Sequence, residues 1–282
     1  MLKLKIQDKA FVFDRPAVMG ILNVTPDSFS DGGRYNQMDD ALHHCETLLT
    51  DGADIIDIGG CSTRPNNAIA TEQEELERVV PILKITRKAF PETLISIDTF
   101  RKNVAEACMS EGADIINDIS GGLFDKKMLP YIGHNHIPYV MMHCIGTPET
   151  MHQYSLDVNI HQTVMDFFAQ QCKTLEIYGE QQIILDPGIG FGKSLGANYQ
   201  LLSNLERYRY NKLPILIGIS RKSLIFKVLG STPQAAENGT TVLNTIALLN
   251  GADILRVHDV KNAREAIELV RTFRNFAANL EP

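Results

Sequence analysis

Short apolar runs along the chain end on residues poorly suited to a core: Asn23, Asp57, Asp98, Asn117, His143, Asp186, Ser220 with Lys222, and Arg256 with His258. Buried without partners, each would cost roughly 1–3 kcal/mol. As a set they call for a ligand, water or one another, although Asp57 or His143 alone is more readily a satisfied core residue. Asp98, Asn117, Asp186 and Lys222 combine carboxylates, an amide and an ammonium. That set suits a flat heterocycle whose ring N–H groups face carboxylates and whose carbonyl faces the cation. Arg64, Arg256 and His258 offer cationic donors suited to a phosphate-bearing group.

Two polar, turn-rich segments lie beside these positions. NVTPDSFSDGG (23–33) holds Phe29 and Asp31, and GGCSTRPNN (59–67) holds Thr63, Arg64 and Pro65. Either could close over a ligand, and either alone could be an ordinary solvated loop. DPGIGFGKS (186–194) imitates a Walker A loop through Gly192, Lys193 and Ser194, but Pro187 stands where that pattern needs its first glycine. Its glycines suit close approach of backbone to a ligand, with Phe191 as an aromatic face. His134 with His136, and His143 with His152, lack partners at a zinc-ligand spacing. Mg²⁺ carried by substrate phosphates and touching one protein oxygen is the better expectation.

The elements that must position these groups are legible from repetition. DGADIIDIGG (51–60), EGADIINDISGG (111–122) and NGADILRVHD (250–259) each place Gly-Ala-Asp-Ile between a helical pattern and an apolar run. The glycine suits a helix C-cap and the run suits a buried parallel strand. The same reading of the whole chain gives strands near 17–22, 54–58, 94–98, 113–117, 137–142, 182–186, 214–219 and 252–257. Helices are expected near 38–50, 71–89, 101–111, 125–134, 157–178, 197–209, 236–249 and 261–277, with Thr71 before Glu74 and Ser203 as start signals. Eight alternations in one domain, 1–282, are the arithmetic of a (β/α)8 TIM barrel, whose site forms where strands end. A doubly wound open sheet also fits the alternation.

A net charge of -7 argues against nucleic acid as the main partner. The start of the chain has no apolar targeting segment, and the longest uncharged stretch, 128–148, is too rich in His and Pro for a membrane span. Five scattered cysteines without a CxxC pair fit free thiols in a cytoplasmic protein.

Seven segments in order resemble dihydropteroate synthase: MGILNVTPDSFSDGG (19–33), GGCSTRP (59–65), SIDTFRK (96–102), INDISGG (116–122), LDPGIGFGK (185–193), GISRKS (218–223) and RVHDV (256–260). The resemblance implies joining a dihydropterin diphosphate to p-aminobenzoate with release of pyrophosphate, inhibition by sulfonamides, and a homodimer. It assigns Asp98, Asn117, Asp186 and Lys222 to the pterin, with Ile119 and Met141 packed on the ring. Asn23, Arg64, Arg256 and His258 fall to the diphosphate, with Asn23 also touching Mg²⁺. Phe29, Thr63, Pro65, Phe191, Ser220 and Lys222 would surround p-aminobenzoate. Asp31, Arg64 and Lys222 would serve catalysis, Asp31 by placing negative charge near a pterin methylene cation formed as diphosphate leaves. The family commonly has Glu where Cys61 stands and Gly where Asn66 stands, which bears on loop closure and sulfonamide affinity. A folate-dependent methyltransferase would keep the Asp98, Asn117 and Asp186 pocket without needing SFSDGG, STRP or RVHD. An inactive pterin-binding homologue is the third reading.

Overall fold

A computed structural model describes residues 2–6, 8–25, 34–61, 69–147, 150 and 155–278. A hairpin of β1 (Leu2–Ile6) and β2 (Lys9–Phe13) leads into the alternation. There follow β3 (Ala17–Asn23), α1 (Arg34–Thr50), β4 (Ile55–Gly59), α2 (Glu72–Ala89), β5 (Leu94–Asp98) and α3 (Lys102–Ser110). β6 (Ile115–Asp118), α4 (Met128–Asn135), β7 (Tyr139–Met142), α5 (Ile160–Glu176), β8 (Ile183–Asp186) and α6 (Leu195–Ser203) continue it. β9 (Leu216–Ile217), α7 (Ser223–Leu229), α8 (Glu237–Leu249), β10 (Ile254–Val257) and α9 (Val260–Ala278) complete it. The barrel strands run parallel in the order β8-β7-β6-β5-β4-β3-β10-β9. A bridge between Leu185 and Ile215, with Leu185 N donating to Pro214 O at 2.8 Å, joins the two ends. The sheet is therefore a (β/α)8 barrel, and the open-sheet alternative falls.

Strand residues alternate between the barrel interior and the helix layer. Met19, Ile55, Leu94, Ile115, Val140, Ile184, Leu216 and Ile254 fill the lower interior, and Leu2 and Leu4 of the hairpin pack beneath them. The intervening residues, such as Val18, Ile56, Ile95 and Ile116, join the helices in the outer core. Two residues further up β4, β5, β6, β8 and β10 the inward set turns polar, as Asp57, Ser96, Asn117, Asp186 and Arg256, so one alternation specifies both a dry floor and a wet mouth.

The Gly-Ala-Asp-Ile repeats have a physical cause. Asp54 accepts from Val18 N at 2.8 Å, Asp114 from Ile95 N at 2.8 Å and Asp253 from Ile215 N at 2.8 Å. Each carboxylate thus satisfies the start of the neighbouring strand, and each also binds an arginine: Arg15, Arg87 and Arg209 respectively. The preceding Gly52, Gly112 and Gly251 take φ of 101°, 95° and 94°, a turn that a side chain would strain.

The strand expectations agree with the structure to within a few residues, but the hairpin and α7 were not foreseen. Thr71 does start α2, where Thr71 N donates to Glu74 Oε2 at 2.7 Å and Glu74 N to Thr71 Oγ1 at 3.3 Å. Ser203 starts nothing; it is the last residue of α6, whose cap is Ser194, accepting from Ala197 N at 3.0 Å. None of the described helices is long and apolar enough to cross a membrane. Asp114→Ala should lower unfolding free energy by ~1–3 kcal/mol, because it leaves Ile95 N–H and Arg87 without their shared acceptor. Urea unfolding monitored by circular dichroism checks this, and an unchanged midpoint would refute the strand-capping role.

Candidate active site

Inward alternation brings Asn23, Asp57, Asp98, Asn117, Met142, Asp186 and Arg256 to the upper interior, one from each of the seven strands besides the short β9. Asn23, Gly59, Asp98 and Asn117 are register partners in sequence across β3 to β6, forming a continuous row. A Cβ at Gly59 would lie 3.7 Å from both Asn23 Oδ1 and Asp98 Oδ2, so glycine keeps the gap between those oxygens open.

Arg256 binds the row together. Its Nε donates to Asp57 Oδ2 at 2.6 Å and its Nη2 to Asp98 Oδ2 at 2.7 Å. Asn117 Nδ2 donates to the same Asp57 oxygen at 3.1 Å. Asp57 Oδ1 is buried without a hydrogen-bond partner among the described residues. Burial pushes the Asp98 carboxyl up to about 7, against the opposing pull of Arg256 and with help from the Asp57 charge. Burial works against the Arg256 cation, but Asp57 and Asp98 outweigh it and raise its pKa.

Asp186 stands across the mouth on β8. Burial raises its pKa, while the Lys222 charge and Gly188 N, donating to its Oδ1 at 2.7 Å, favour the carboxylate. Lys222 Nζ donates to Ile189 O at 2.6 Å and lies 4.4 Å from the centre of the Phe191 ring, a cation–π contact. Burial lowers its pKa to about 8, and Asp186 resists the change. Ser220 Oγ is 2.9 Å from His258 Nδ1 and accepts from His258 N at 3.2 Å, tying the segments after β9 and β10 together.

An apolar collar of Phe100, Ile119, Met142 and Cys144 borders the polar row, with Cys61, Ile69, Phe124 and Phe191 packed against it. Ile119 belongs to this collar. Met141 does not: it faces the outer core, with its Cγ near Gly121, and its neighbour Met142 points inward. Alternation explains the correction, since Asn117 on β6 and Asp186 on β8 flank Met142 in the inward parity. His143 is likewise turned outward, edge-on to Phe167 with ring centres 5.1 Å apart, and burial lowers its pKa to about 3. It is not a site residue. Phe29, Asp31, Thr63, Arg64, Pro65 and Asn66 lie outside the described residues.

The DPGIGFGK segment is not a phosphate loop of the Walker type. Lys193 Nζ is enclosed by backbone oxygens of His143, Gly188 and Phe191 rather than exposed to a ligand. Gly188 (φ 70°) permits this, because a Cβ there would sit 1.8 Å from His143 O. The mouth has oxygens for hard cations only in small number: no group of three or more His, Cys, Asp or Glu that could hold a metal exists among the described residues. Asn23 Oδ1 beside the Asp98 carboxylate fits an ion that arrives mostly ligated by substrate phosphate and water.

Barrel mouths of this kind, where carboxylates, an amide and two cations converge, suit a polar heterocycle joined to an anionic group. A family described as pterin binding enzymes matches residues 19–258, and the chain belongs to that family. Dihydropteroate synthases are among the relatives it matches along most of their length. The enzyme of Escherichia coli strain K12 is 41% identical over 271 residues, 95% of each chain. The structure of Yersinia pestis dihydropteroate synthase in complex with a sulfonamide drug superposes with a TM-score of 0.90 at 39% identity, covering 97% of this chain and 100% of that one. The Xanthomonas albilineans dihydropteroate synthase in complex with 7,8-dihydropteroate gives 0.85 at 33% identity, covering 97% and 99%.

Asp57→Asn should move the Asp98 titration below about 7, since it removes a neighbouring negative charge and leaves Arg256 to Asp98 alone. Carboxyl-carbon NMR titration, with Asp98→Asn to assign the signal, reads the shift. A titration that stays in place would mean that the two carboxylates do not share the guanidinium.

Proposed function

We infer that the barrel mouth condenses 7,8-dihydropterin-6-ylmethyl diphosphate with p-aminobenzoate, giving 7,8-dihydropteroate and pyrophosphate. The observation carrying this reading is the inward row Asp98–Asn117 facing Asp186 and Lys222 across the mouth, in a chain similar to dihydropteroate synthases over nearly its whole length. Asp98, Asn117 and Asp186 accept from and donate to the pterin edge, Lys222 meets its carbonyl, and Ile119 and Met142 pack on the ring. The phosphate end lies toward Asn23, Arg256 and His258, joined by Arg64 of the second loop. Phe191, Ser220 and Lys222, with Phe29, Thr63 and Pro65, receive p-aminobenzoate.

In the reaction the bond between the pterin methylene and the diphosphate oxygen breaks, the arylamine nitrogen bonds to that carbon, and a proton leaves the nitrogen. The amine is uncharged and reactive, so positioning matters more than a general base, and no nucleophile–base pair is assigned. Cationic groups stabilise the departing diphosphate, an effect worth about 10²–10³ in rate per well-placed group. Mg²⁺ would supply charge neutralisation of the same leaving group, held by Asn23. Asp31 and Arg64 complete the catalytic set with Lys222, Asp31 through negative charge near the developing methylene cation.

A folate-dependent methyltransferase would use the same pocket, but the 41% identity to a synthase along 95% of the chain favours condensation. Five free cysteines fit a reducing, cytoplasmic setting. A homodimer is supported by an apolar face on α8 and α9, where Val242, Ile246, Leu249, Leu269, Phe273 and Phe276 are exposed. The two helices are joined by Arg274 Nη2 donating to Leu248 O at 2.8 Å.

Incubation with the dihydropterin diphosphate, Mg²⁺ and p-aminobenzoate should yield pyrophosphate and dihydropteroate one for one, and neither without the arylamine. Lys222→Ala should lower kcat/KM by about 10²–10³ while weakening pterin binding. Pterin turnover without an arylamine product, or none at all with pterin bound, would refute the synthase. Pterin affinity should fall as pH drops through about 7, where the buried Asp98 gains a proton and stops accepting ligand N–H groups. Calorimetry across the neutral range checks this, and a flat profile would exclude the ionised Asp98 as a pterin ligand. Light scattering should give twice the single-chain mass, reduced to one by Leu269→Lys with Phe273→Glu.

A further inference from the structure

Lys193 is a buried cation that the chemistry above does not use. Its Nζ donates to His143 O at 3.1 Å, Gly188 O at 2.8 Å and Phe191 O at 3.0 Å. The first oxygen belongs to the segment leaving β7, the other two to the loop after β8. An ammonium has three protons, and here each meets one neutral carbonyl. Holding the cation there is costly, and burial lowers its pKa to about 7.

The loop that closes around this ammonium carries two contacts to Lys222. Ile189 O accepts from Lys222 Nζ at 2.6 Å, and the Phe191 ring lies under the same atom at 4.4 Å. The loop also begins at Asp186, whose Oδ1 accepts from Gly188 N, the residue whose own carbonyl binds Lys193. We propose that Lys193 is a positioning residue: its ammonium fixes residues 187–192 in the shape that sets Phe191 and Ile189 O against Lys222 and orients Asp186. This rests on the reading of the mouth as a pterin and arylamine site.

The charge has a second consequence. Lys193 favours the ionised form of Asp186, which burial alone drives toward the neutral acid. The titratable groups around Lys193 are Asp186, Cys144, Lys222 and His143. Burial pushes the Cys144 thiol up to about 12 and His143 down to about 3, so near neutrality neither changes charge. Lys222, at about 8, titrates on the alkaline side and not on the acid limb of pterin binding.

Lys193→Met and Lys193→Arg, compared with the native enzyme, separate the geometric and electrostatic parts. The readouts are KM for p-aminobenzoate, dihydropterin affinity against pH, and melting temperature. Lys193→Met should raise KM about tenfold, the scale of a small misplacement near a reacting centre, and move the acid limb of pterin affinity to higher pH, because Asp186 without the Lys193 charge then takes up a proton alongside Asp98. Lys193→Arg keeps the charge, so its acid limb should stay. Its planar guanidinium cannot aim three protons at three converging carbonyls, so its KM should still rise several-fold. A purely structural lysine would change the melting temperature and leave KM and the acid limb alone. Native KM in Lys193→Arg overturns the proposal even if Lys193→Met does not fold. Native protein that binds the pterin yet forms no dihydropteroate would instead sink the synthase reading, and the acid limb would still report on Lys193.

Discussion

Arg256 stands in the barrel mouth between Asp57 on β4 and Asp98 on β5. A guanidinium stays charged at any pH a protein meets, so its burial demands carboxylates, and their burial demands it. Removing one member of such a set leaves an uncompensated charge, commonly a loss of about 3–5 kcal/mol. The fork also has to reach two carboxylates on neighbouring strands from β10 across β3, which a single ammonium does less well. Asp98 is left near its ionisation point, so a ligand presenting N–H groups can draw it into the charged form. Asp57 Oδ1, without a partner among the described residues, shows that the hydrogen-bonding capacity of the mouth is not used up internally.

The rest of the barrel serves to hold that bridge. Because side chains alternate across the sheet, the residues two below Asp57, Asp98, Asn117 and Asp186 are Ile55, Ser96, Ile115 and Ile184, all buried. The hairpin seals the floor with Leu2 and Leu4, so water reaches the charges from the mouth. At the opposite end Asp54, Asp114 and Asp253 cap strand starts and hold arginines, with their charges set outside the apolar layer. One residue type does two jobs at two ends of the same strands. Position along the strand, not identity, decides whether an Asp is structural or chemical.

Much of this was legible in the sequence. Helix and strand periods, the repeated Gly-Ala-Asp-Ile and the polar strand ends located all eight barrel strands and the residues Asp98, Asn117, Asp186, Lys222 and Arg256. The errors share a physical origin. Met141 and Met142 are both apolar and adjacent, and only the in-out parity set by pairing with β6 and β8 chooses between them. His143 is polar at a strand end, but it follows an inward methionine and must face out, which accords with its reading as a satisfied core residue. The hairpin precedes the first alternation and has no helix to mark it, and α7 is a short helix directly after site residues whose chemistry masked its apolar pattern. The pairing of Asp57 with Arg256 spans 199 residues, and no local pattern encodes it.

The glycine-rich segment before α6 shows why composition alone misleads about chemistry. Gly-rich backbone followed by Lys and Ser is what a phosphate cradle requires, because glycines free the N–H groups and the lysine reaches the anion. Here the same ingredients are turned inside out. Gly188 allows the chain to approach His143 O so closely that carbonyls, not N–H groups, converge, and carbonyls select a cation. The cation they select is the chain's own Lys193, while Ser194 caps α6. The loop therefore binds its ligand covalently attached, and what it presents outward is a carbonyl and an aromatic face for Lys222. A segment that resembles an anion site thus becomes the frame for a second buried cation, Lys222, and the difference lies in which backbone groups the glycines turn inward.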